Sequence, residues 1–371
     1  MNTGFAPEEA VRAARERTGV PGVVAGLWRD GRTALAAAGQ LALGRDEPVR
    51  ENTPFRIASI TKPFTATLAS RCLPLDEPLC RLLSHSAGIR CESAEPLPPP
   101  AAGLFSYSNA GYWSAGAACA AAGDTSFEEA MRSRVLQPFG LEATGFEEPP
   151  RPARGHVQLG ESGHRAGDDD SYPVARRPSG GLWSTAADLL RFAVHHLKEP
   201  GVLHEPRAAA LGAQYALGWW VRALEDGRTV LEHEGSVAGY QSLLLLVPEE
   251  ATALAVLTNS WRGSGLIRRV VESLGITSRA LAPASVPERI EGTYALDELA
   301  ATVEMSGDGL IVSARERDPV TGSSTSTSFP ARALGGGVFG FARGVLLSHR
   351  LDFPRAGVAR IGWVALPRTE S

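Results

Sequence analysis

Two kinds of sequence pattern alternate along this chain, and their order restricts the possible folds more than any other feature. Residues 22–43 form two apolar strand-like runs around an Asp30-Gly31 turn, which is typical of a β-hairpin. From Thr61 to about residue 195 the pattern is mostly helical, with Pro and Gly loops between the helices. Short strand-like runs return after Tyr215. The sequence therefore predicts a helical region inserted between two segments that form a sheet.

Three helices can be placed from their local signals. Residues 8–18 are followed by Gly19, a residue that commonly ends a helix. Residues 184–197 repeat apolar side chains at helical spacing behind Ser184 or Thr185, either of which can cap the first turn. A third helix is expected over residues 264–275, ending at Gly275.

The C-terminal quarter of the chain has a different texture. Residues 279–288 have the Ala/Pro character of a linker, and the part from 281 to 288 is predicted to separate two domains. Eight short strand-like runs fill residues 289–371, which favours a small β-barrel or sandwich. We expect one domain over residues 1–280, with a helical subdomain at about 63–200, and a small all-β domain after the linker.

Composition and charge restrict the classes of molecule that this protein is expected to bind. The formal charge of the 371 residues is −4 and no basic run stands out, so nucleic-acid binding is not expected and a small molecule or peptide is the predicted substrate. The longest apolar runs are too short to span a bilayer. The four cysteines lack metal-ligand spacing and are expected to be free thiols, as in a cytoplasmic protein. No cofactor or metal is predicted, and the oligomeric state stays open.

Ser59 and Lys62 stand three residues apart in the run FRIASITKPF. On a helix this spacing brings both side chains to one face, one turn apart. Such a pair can be an ordinary solvated contact, or a nucleophile beside its base. The spacing alone does not decide between these two interpretations.

Two later stretches carry groups that an acyl-transfer site needs. Tyr107 and Asn109 lie two apart in FSYSNAGYW, where a phenol can share a proton with a base and an amide can orient a carbonyl. His233 and Gly235 precede a strong strand-like run. A glycine there allows close approach of a substrate, and the next backbone N–H, that of Ser236, can donate to an oxyanion.

Together these motifs resemble the serine β-lactamase and penicillin-binding-protein family, whose signature combines S-x-x-K, a Tyr- or Ser-containing triplet ending in Asn, and K-T-G. The match is closest to the class C branch, and the H-x-G triplet is similar to its esterase and D-aminopeptidase relatives. Supporting stretches cover about residues 10–278. The resemblance implies an α/β domain with an all-α subdomain, in which helices flank an antiparallel sheet. The all-β C-terminal domain resembles the lipocalin-like domain of some relatives, where it would wall or cover the cleft.

The resemblance also implies roles for individual residues. Ser59 would be acylated, Lys62 would be the neutral base that takes its proton, and Tyr107 would be a second proton carrier. Asn109, His233 and Gly235 would position the substrate. The backbone N–H groups of Ser59 and Ser236 would form the oxyanion hole.

Two departures from the family pattern affect the expected substrate. His233 stands where a lysine would meet the carboxylate of a β-lactam, which argues against β-lactam specificity, and a structural role for this histidine stays open. The segment between Lys62 and Tyr107 is shorter than is usual for the family. The shortening is expected either to open the cleft or to disable the site.

Three functions remain as hypotheses. The first is a serine hydrolase acting on an ester or amide through acyl-Ser59, as an esterase, D-amino-acid amidase or peptidase. The second is an acyltransferase or peptide cyclase of natural-product biosynthesis, in which an amine or alcohol accepts the acyl group. The third is a catalytically silent binding protein of the same fold. A G-x-G-x-x-G match at residues 335–340 is not followed by a helical pattern, so no dinucleotide site is expected.

Overall fold

The computed structural model describes residues 7–159, 163–166, 172–276, 290–297, 299–307, 309–317, 324–335, 337–341, 350–361 and 363–369. The predicted linker at 281–288 lies outside these residues, as does the acidic run Asp168-Asp169-Asp170.

The N-terminal segment forms one helix and a hairpin. Helix α1 covers Pro7–Thr18, and strands β1 (Gly22–Arg29) and β2 (Arg32–Gly39) pair antiparallel. Asp30 and Gly31 both have positive φ, at 52° and 77°, as a two-residue hairpin turn requires. The predicted hairpin and first helix are thus confirmed. A two-residue strand, β3 (Phe55–Arg56), follows.

The middle of the chain is mainly helical. Its elements are α2 (Thr61–Cys72), α3 (Glu77–Leu83), α4 (Asn109–Ala122), α5 (Phe127–Met131), β4 (His156–Leu159), β5 (Gly163–Ala166), α6 (Arg177–Gly180), β6 (Trp183–Ser184) and α7 (Ala186–Lys198). The Thr185 hydroxyl caps α7 by accepting from the backbone N–H of Asp188, so the second of the two predicted caps is the one used. Arg132–Leu136 extends α5 as a π-helical turn.

The chain then completes the central sheet. Strands β7 (Ala208–Ala210), β8 (Ala213–Tyr215), β9 (Trp220–Ala223), β10 (Thr229–Val237), β11 (Tyr240–Val247) and β12 (Thr252–Thr258) precede helix α8 (Gly263–Ser273). The sheet order is β2-β1-β12-β11-β10-β9-β8-β7. Helices α1 and α8 pack on one face and α7 on the other, so β11 and β12 are buried on both sides. The N-terminal hairpin and the later strands share one sheet, as the sequence predicts.

The C-terminal region is a nearly closed barrel of eight strands. These are β13 (Gly292–Leu296), β14 (Leu299–Ser306), β15 (Gly309–Arg317), β16 (Ser324–Gly335), β17 (Val338–Phe341), β18 (Arg350–Arg355), β19 (Val358–Ile361) and β20 (Val364–Pro367). Each strand pairs with the next, and Tyr294 bridges to Arg368 to bring the last strand beside the first. The predicted fold class, an antiparallel sheet flanked by helices followed by a small barrel, is confirmed.

A buried ion pair joins the barrel to the central sheet. Arg360 on β19 makes two hydrogen bonds to the Asp352 carboxylate on β18, at 2.8 and 3.0 Å. Arg360 also donates to the carbonyl of Ala209, and Asp352 accepts from the backbone N–H of Leu211. Because both ions are largely withdrawn from water, each depends on the other for compensation.

We predict that Arg360→Met destabilises the protein by about 3–5 kcal/mol, because the Asp352 carboxylate would remain buried without its partner. Urea unfolding measures the loss. The double variant Arg360→Met/Asp352→Asn should recover part of it. The matched control is Arg315→Met on the exposed face of β15, which should change the free energy of unfolding by less than about 0.5 kcal/mol. Equal effects of the two single variants would contradict this assignment.

No helix in the part of the chain that the structure describes is long and apolar enough to cross a membrane.

Candidate active site

Ser59 lies in a short 3-10 turn, Ala58–Ile60, that leads directly into α2. Ala58 has φ +47°, a left-handed conformation that is unfavourable for a residue with a side chain. Contacts on both sides hold the turn: the Ile57 backbone N–H donates to Leu182, and the Ile57 carbonyl accepts from the Ser242 hydroxyl. The strained turn thus presents Ser59, which is half-buried, at a fixed position.

Lys62 is fully buried on the first turn of α2. Its Nζ lies 3.1 Å from Ser59 Oγ, 2.7 Å from Asn109 Oδ1 and 2.8 Å from the carbonyl oxygen of Ser179. A neutral amine has two N–H donors and one lone pair. Asn109 Oδ1 and the Ser179 carbonyl oxygen can only accept, so donation to these two atoms leaves the lone pair for the Ser59 hydroxyl proton.

Burial lowers the pKa of Lys62 from 10.5 to about 7. The Cys91 thiol and the Glu92 carboxylate act in the opposite direction, but burial outweighs them. A substantial fraction of Lys62 is therefore neutral near pH 7, as a general base for Ser59 must be.

Tyr107 lies just before α4 and its ring covers Lys62, with Nζ 4.6 Å from the ring centroid. Burial raises the pKa of Tyr107 well above its usual value, although the neighbouring Ser59 hydroxyl opposes the shift. Within the described part of the chain, the Tyr107 hydroxyl has no hydrogen-bond partner. A buried phenol without a partner is ready to exchange a proton with a bound substrate.

Asn109 is the first residue of α4, where the Ser108 hydroxyl caps the helix by accepting from the Gly111 backbone N–H. The Asn109 side chain links Lys62 to the protein surface. Its Oδ1 accepts from Lys62, and its Nδ2 donates to the exposed Glu92 carboxylate. The structure thus brings Ser59, Lys62, Tyr107 and Asn109 together.

His233 on β10 is buried behind this group. Its Nδ1 lies 2.7 Å from the carbonyl of Glu234, which can only accept, so Nδ1 carries the proton and Nε2 accepts from the Tyr215 hydroxyl at 3.0 Å. Burial, with the charge of Lys62 as a smaller cause, lowers the pKa of His233 to about 3. His233 is therefore neutral at pH 7 and supplies no cation for a substrate carboxylate.

Gly235 lets β10 approach the turn that carries Ser59. A Cβ atom at this position would lie 2.1 Å from the Ile57 carbonyl oxygen and 2.4 Å from Ser242 Oγ, which is closer than real contacts allow. The next residue, Ser236, is exposed.

Several residues near this site were not predicted from the sequence. Ser179 contributes a backbone carbonyl, which side-chain patterns do not reveal. Glu92 lies in a loop without a recognisable motif. Trp363 comes from the barrel, and its carbonyl accepts from the backbone N–H of Tyr107 at 3.0 Å. His85, with φ +58°, contacts the Tyr107 ring at 4.2 Å between centroids.

Among the described residues, no group of three or more His, Cys, Asp or Glu side chains is arranged to hold a metal ion. His196 is hydrogen-bonded to His204, and neither histidine belongs to the acyl site described above.

A model of the Beta-lactamase protein family matches residues 8–74 and 78–271. The chain belongs to the beta-lactamase family. This beta-lactamase-family protein is 26% identical over 326 residues to penicillin-binding protein 4 of Amycolatopsis lactamdurans, spanning 68% of this chain and 84% of that relative. Such relatives identify a serine-hydrolase type of enzyme, and the resemblance found in the sequence is confirmed.

Two solved structures show the same fold as this beta-lactamase-family protein. The crystal structure of SurE matches with a TM-score of 0.74 and 24% identity over 98% of both chains, and SurE was also solved with D-Leu. The D-amino acid amidase of Ochrobactrum anthropi SV3, solved with L-phenylalanine amide, matches with a TM-score of 0.61 and 22% identity over 72% of this chain and 98% of its own. The likeness to SurE therefore extends across the barrel.

We predict that Gly235→Ala reduces the rate of acylation of Ser59 by about a hundredfold or more, because the added methyl group must displace the turn from residue 57 to 59. Stopped-flow kinetics with an activated ester measure this rate. The control is Gly201→Ala, where a Cβ would meet no atom within 4 Å. Near-normal acylation by folded Gly235→Ala would contradict the proposed fit between β10 and the turn.

Proposed function

We propose that this protein is a serine hydrolase that cleaves an ester or amide through an acyl-Ser59 intermediate. The observation that carries the proposal is the buried Lys62 amine, 3.1 Å from Ser59 Oγ, with its pKa lowered to about 7. In a binding protein this burial would have no function, and removing an amine from water is costly. A base held neutral beside a hydroxyl is what an acylation reaction requires.

In acylation, the Ser59 O–H bond breaks while a bond forms between Oγ and the substrate carbonyl carbon, and the proton passes to Lys62. The electron pair of the C=O bond moves onto oxygen, where the backbone N–H groups of Ser59 and Ser236 would stabilise it. Collapse of the intermediate breaks the bond to the leaving group, which takes a proton from Tyr107. The Lys62 ammonium then returns a proton to Tyr107.

In deacylation the same groups act in reverse order. As the oxygen of a water molecule attacks the ester carbon, the water gives a proton to Tyr107 while Tyr107 passes its own proton to Lys62. The Lys62 ammonium then returns this proton to Ser59 Oγ when the bond to the acyl carbon breaks. The raised pKa of Tyr107 keeps its phenol protonated at neutral pH, which suits the donor step. Asn109, fixed by Lys62 on one side and Glu92 on the other, would orient the acyl group.

We infer that the acyl group derives from a D-amino acid. Support comes from the SurE structure with D-Leu and from the D-amino acid amidase, whose folds match this chain. The neutral His233 agrees with a substrate that presents no carboxylate at that position, since a β-lactam would leave its carboxylate without a cation there.

The second candidate is transfer of the acyl group to an amine or alcohol. The burial of Lys62 and Tyr107 supports it, because both proposed proton carriers are withdrawn from bulk water, and a bound acceptor can then compete with water for the acyl group. Product analysis with a D-aminoacyl ester, with and without a millimolar amine, separates the two. Exclusive hydrolysis at every amine concentration would reject the transferase.

We predict that a fluorophosphonate probe adds one label to the wild-type protein and none to Ser59→Ala, because Ser59 is the only proposed nucleophile. Intact-protein mass spectrometry measures the label. The control is Ser70→Ala on the same helix. The Ser70 hydroxyl donates to the Thr67 carbonyl, and this variant should be labelled as the wild type is. An unlabelled wild type would reject both enzymatic functions in favour of a silent binding protein.

We predict that the labelling rate rises with pH around a midpoint near 7, because Lys62 must lose its proton before it can accept that of Ser59. Below the midpoint the amine is charged and the rate falls about tenfold per pH unit. Lys62→Arg, which stays charged, should lose the reaction across the range. A rate that is flat between pH 5 and 9 would exclude Lys62 as the base.

A further inference from the structure

We propose that Trp363, a residue of the C-terminal barrel, positions Tyr107 for proton transfer, so that the barrel is a working part of the acyl site. The inference rests on the proposed acyl-Ser59 chemistry, in which Tyr107 protonates the leaving group. It assigns a function to the barrel that goes beyond covering the cleft.

Two backbone contacts join the barrel to the segment that carries Tyr107. Trp363 lies in the turn between β19 and β20, and its carbonyl accepts from the Tyr107 backbone N–H at 3.0 Å. On β20, which follows this turn, the Ala365 backbone N–H donates to the Ser106 hydroxyl at 3.1 Å. Tyr107 belongs to neither a helix nor a strand, so these contacts help to set its backbone direction.

His85 holds the residues on either side of Tyr107. Its carbonyl accepts from the Ser106 backbone N–H at 3.0 Å, and its Nδ1 accepts from the Ser108 backbone N–H at 3.0 Å. Three consecutive N–H groups are thus fixed from outside their own segment. His85 takes the outer two, and the central one depends on the barrel.

The Tyr107 side chain also packs against the barrel. Because its hydroxyl has no hydrogen-bond partner among the described residues, the direction of the side chain depends mainly on packing of the ring. The ring lies between His85, at 4.2 Å between centroids, and Trp363, at 5.1 Å, and it faces the Lys62 amine. Loss of the Trp363 indole would remove one of these walls and allow the phenol to rotate away from Ser59.

The barrel holds the Trp363 backbone in an unfavourable conformation. Its φ is +82°, which a residue with a side chain rarely adopts, and such a conformation persists only when the surroundings impose it. Arg360, which forms the buried pair with Asp352, lies on β19 just before this turn, and the Trp220 ring of the central sheet packs against the indole at 5.9 Å between centroids. A turn constrained in this way can act as a rigid support.

The test uses leaving groups that differ in their need for a proton. A methyl ester needs a proton from Tyr107 as its alkoxide departs, whereas p-nitrophenolate leaves without one. In the full-length protein, Trp363→Leu should lower the rate of Ser59 acylation, measured as kcat/KM, about tenfold or more for a D-aminoacyl methyl ester and less than about threefold for the p-nitrophenyl ester. Tyr107→Phe should show the same selectivity more strongly, and Trp363→Phe, which keeps an aromatic wall, should restore most of the loss.

The control is Val312→Ala in the barrel core, which lowers barrel stability without touching Tyr107 and should affect both esters equally. Equal losses for both esters in Trp363→Leu, or no loss, would overturn the proposal. Failure of the wild type to form acyl-Ser59 would instead reject the proposed function.

A second measurement does not depend on turnover. In protein labelled with 3-fluorotyrosine, the fluorine resonance of Tyr107, assigned by its absence in Tyr107→Phe among the six tyrosines, should shift or broaden in Trp363→Leu. It should keep its position in Val312→Ala. An unchanged resonance in Trp363→Leu would show that the barrel does not hold the Tyr107 ring.

Discussion

The burial of the Lys62 amine is the interaction on which the rest of the active site depends. Lowering its pKa from 10.5 to about 7 corresponds to roughly 5 kcal/mol of lost preference for the charged form. A typical domain has a total stability of only about 5–15 kcal/mol. The surrounding fold must therefore supply enough packing to keep this amine out of water, and in the proposed reaction the benefit is a neutral base at neutral pH.

The neighbouring structure can be understood as the means to keep that amine dry and oriented. Polar groups from three parts of the chain (Ser59, Asn109 and Ser179) surround Nζ, and the Tyr107 ring covers it. Behind these groups lies His233, at the position where the family resemblance implies a lysine. Because His233 is neutral at pH 7, it adds no positive charge next to Lys62. The barrel completes the arrangement through its contact with the Tyr107 backbone.

Local signals were enough to predict much of this from the sequence. The three-residue spacing predicted that Ser59 lies beside Lys62. Residue preferences that act over a few positions predicted the hairpin turn, a helix cap at Ser184 or Thr185, and the eight C-terminal strands. Ser179 acts through its backbone and Trp363 through contact with a distant domain, so neither leaves a local pattern. The charge state of His233 was also hidden, because it depends on burial by residues far away in the chain.

The most direct test of the central claim is a titration of Lys62 itself. The chain has only two lysines, Lys62 and the exposed Lys198, so protein labelled with ¹³C at the lysine ε-carbon gives two resonances that Lys62→Arg assigns. The Lys198 resonance serves as the internal reference for the labelling. A Lys62 resonance that titrates near 7 is the predicted result. If the Lys62 resonance titrates near the ordinary lysine value of about 10.4, the buried neutral base does not exist.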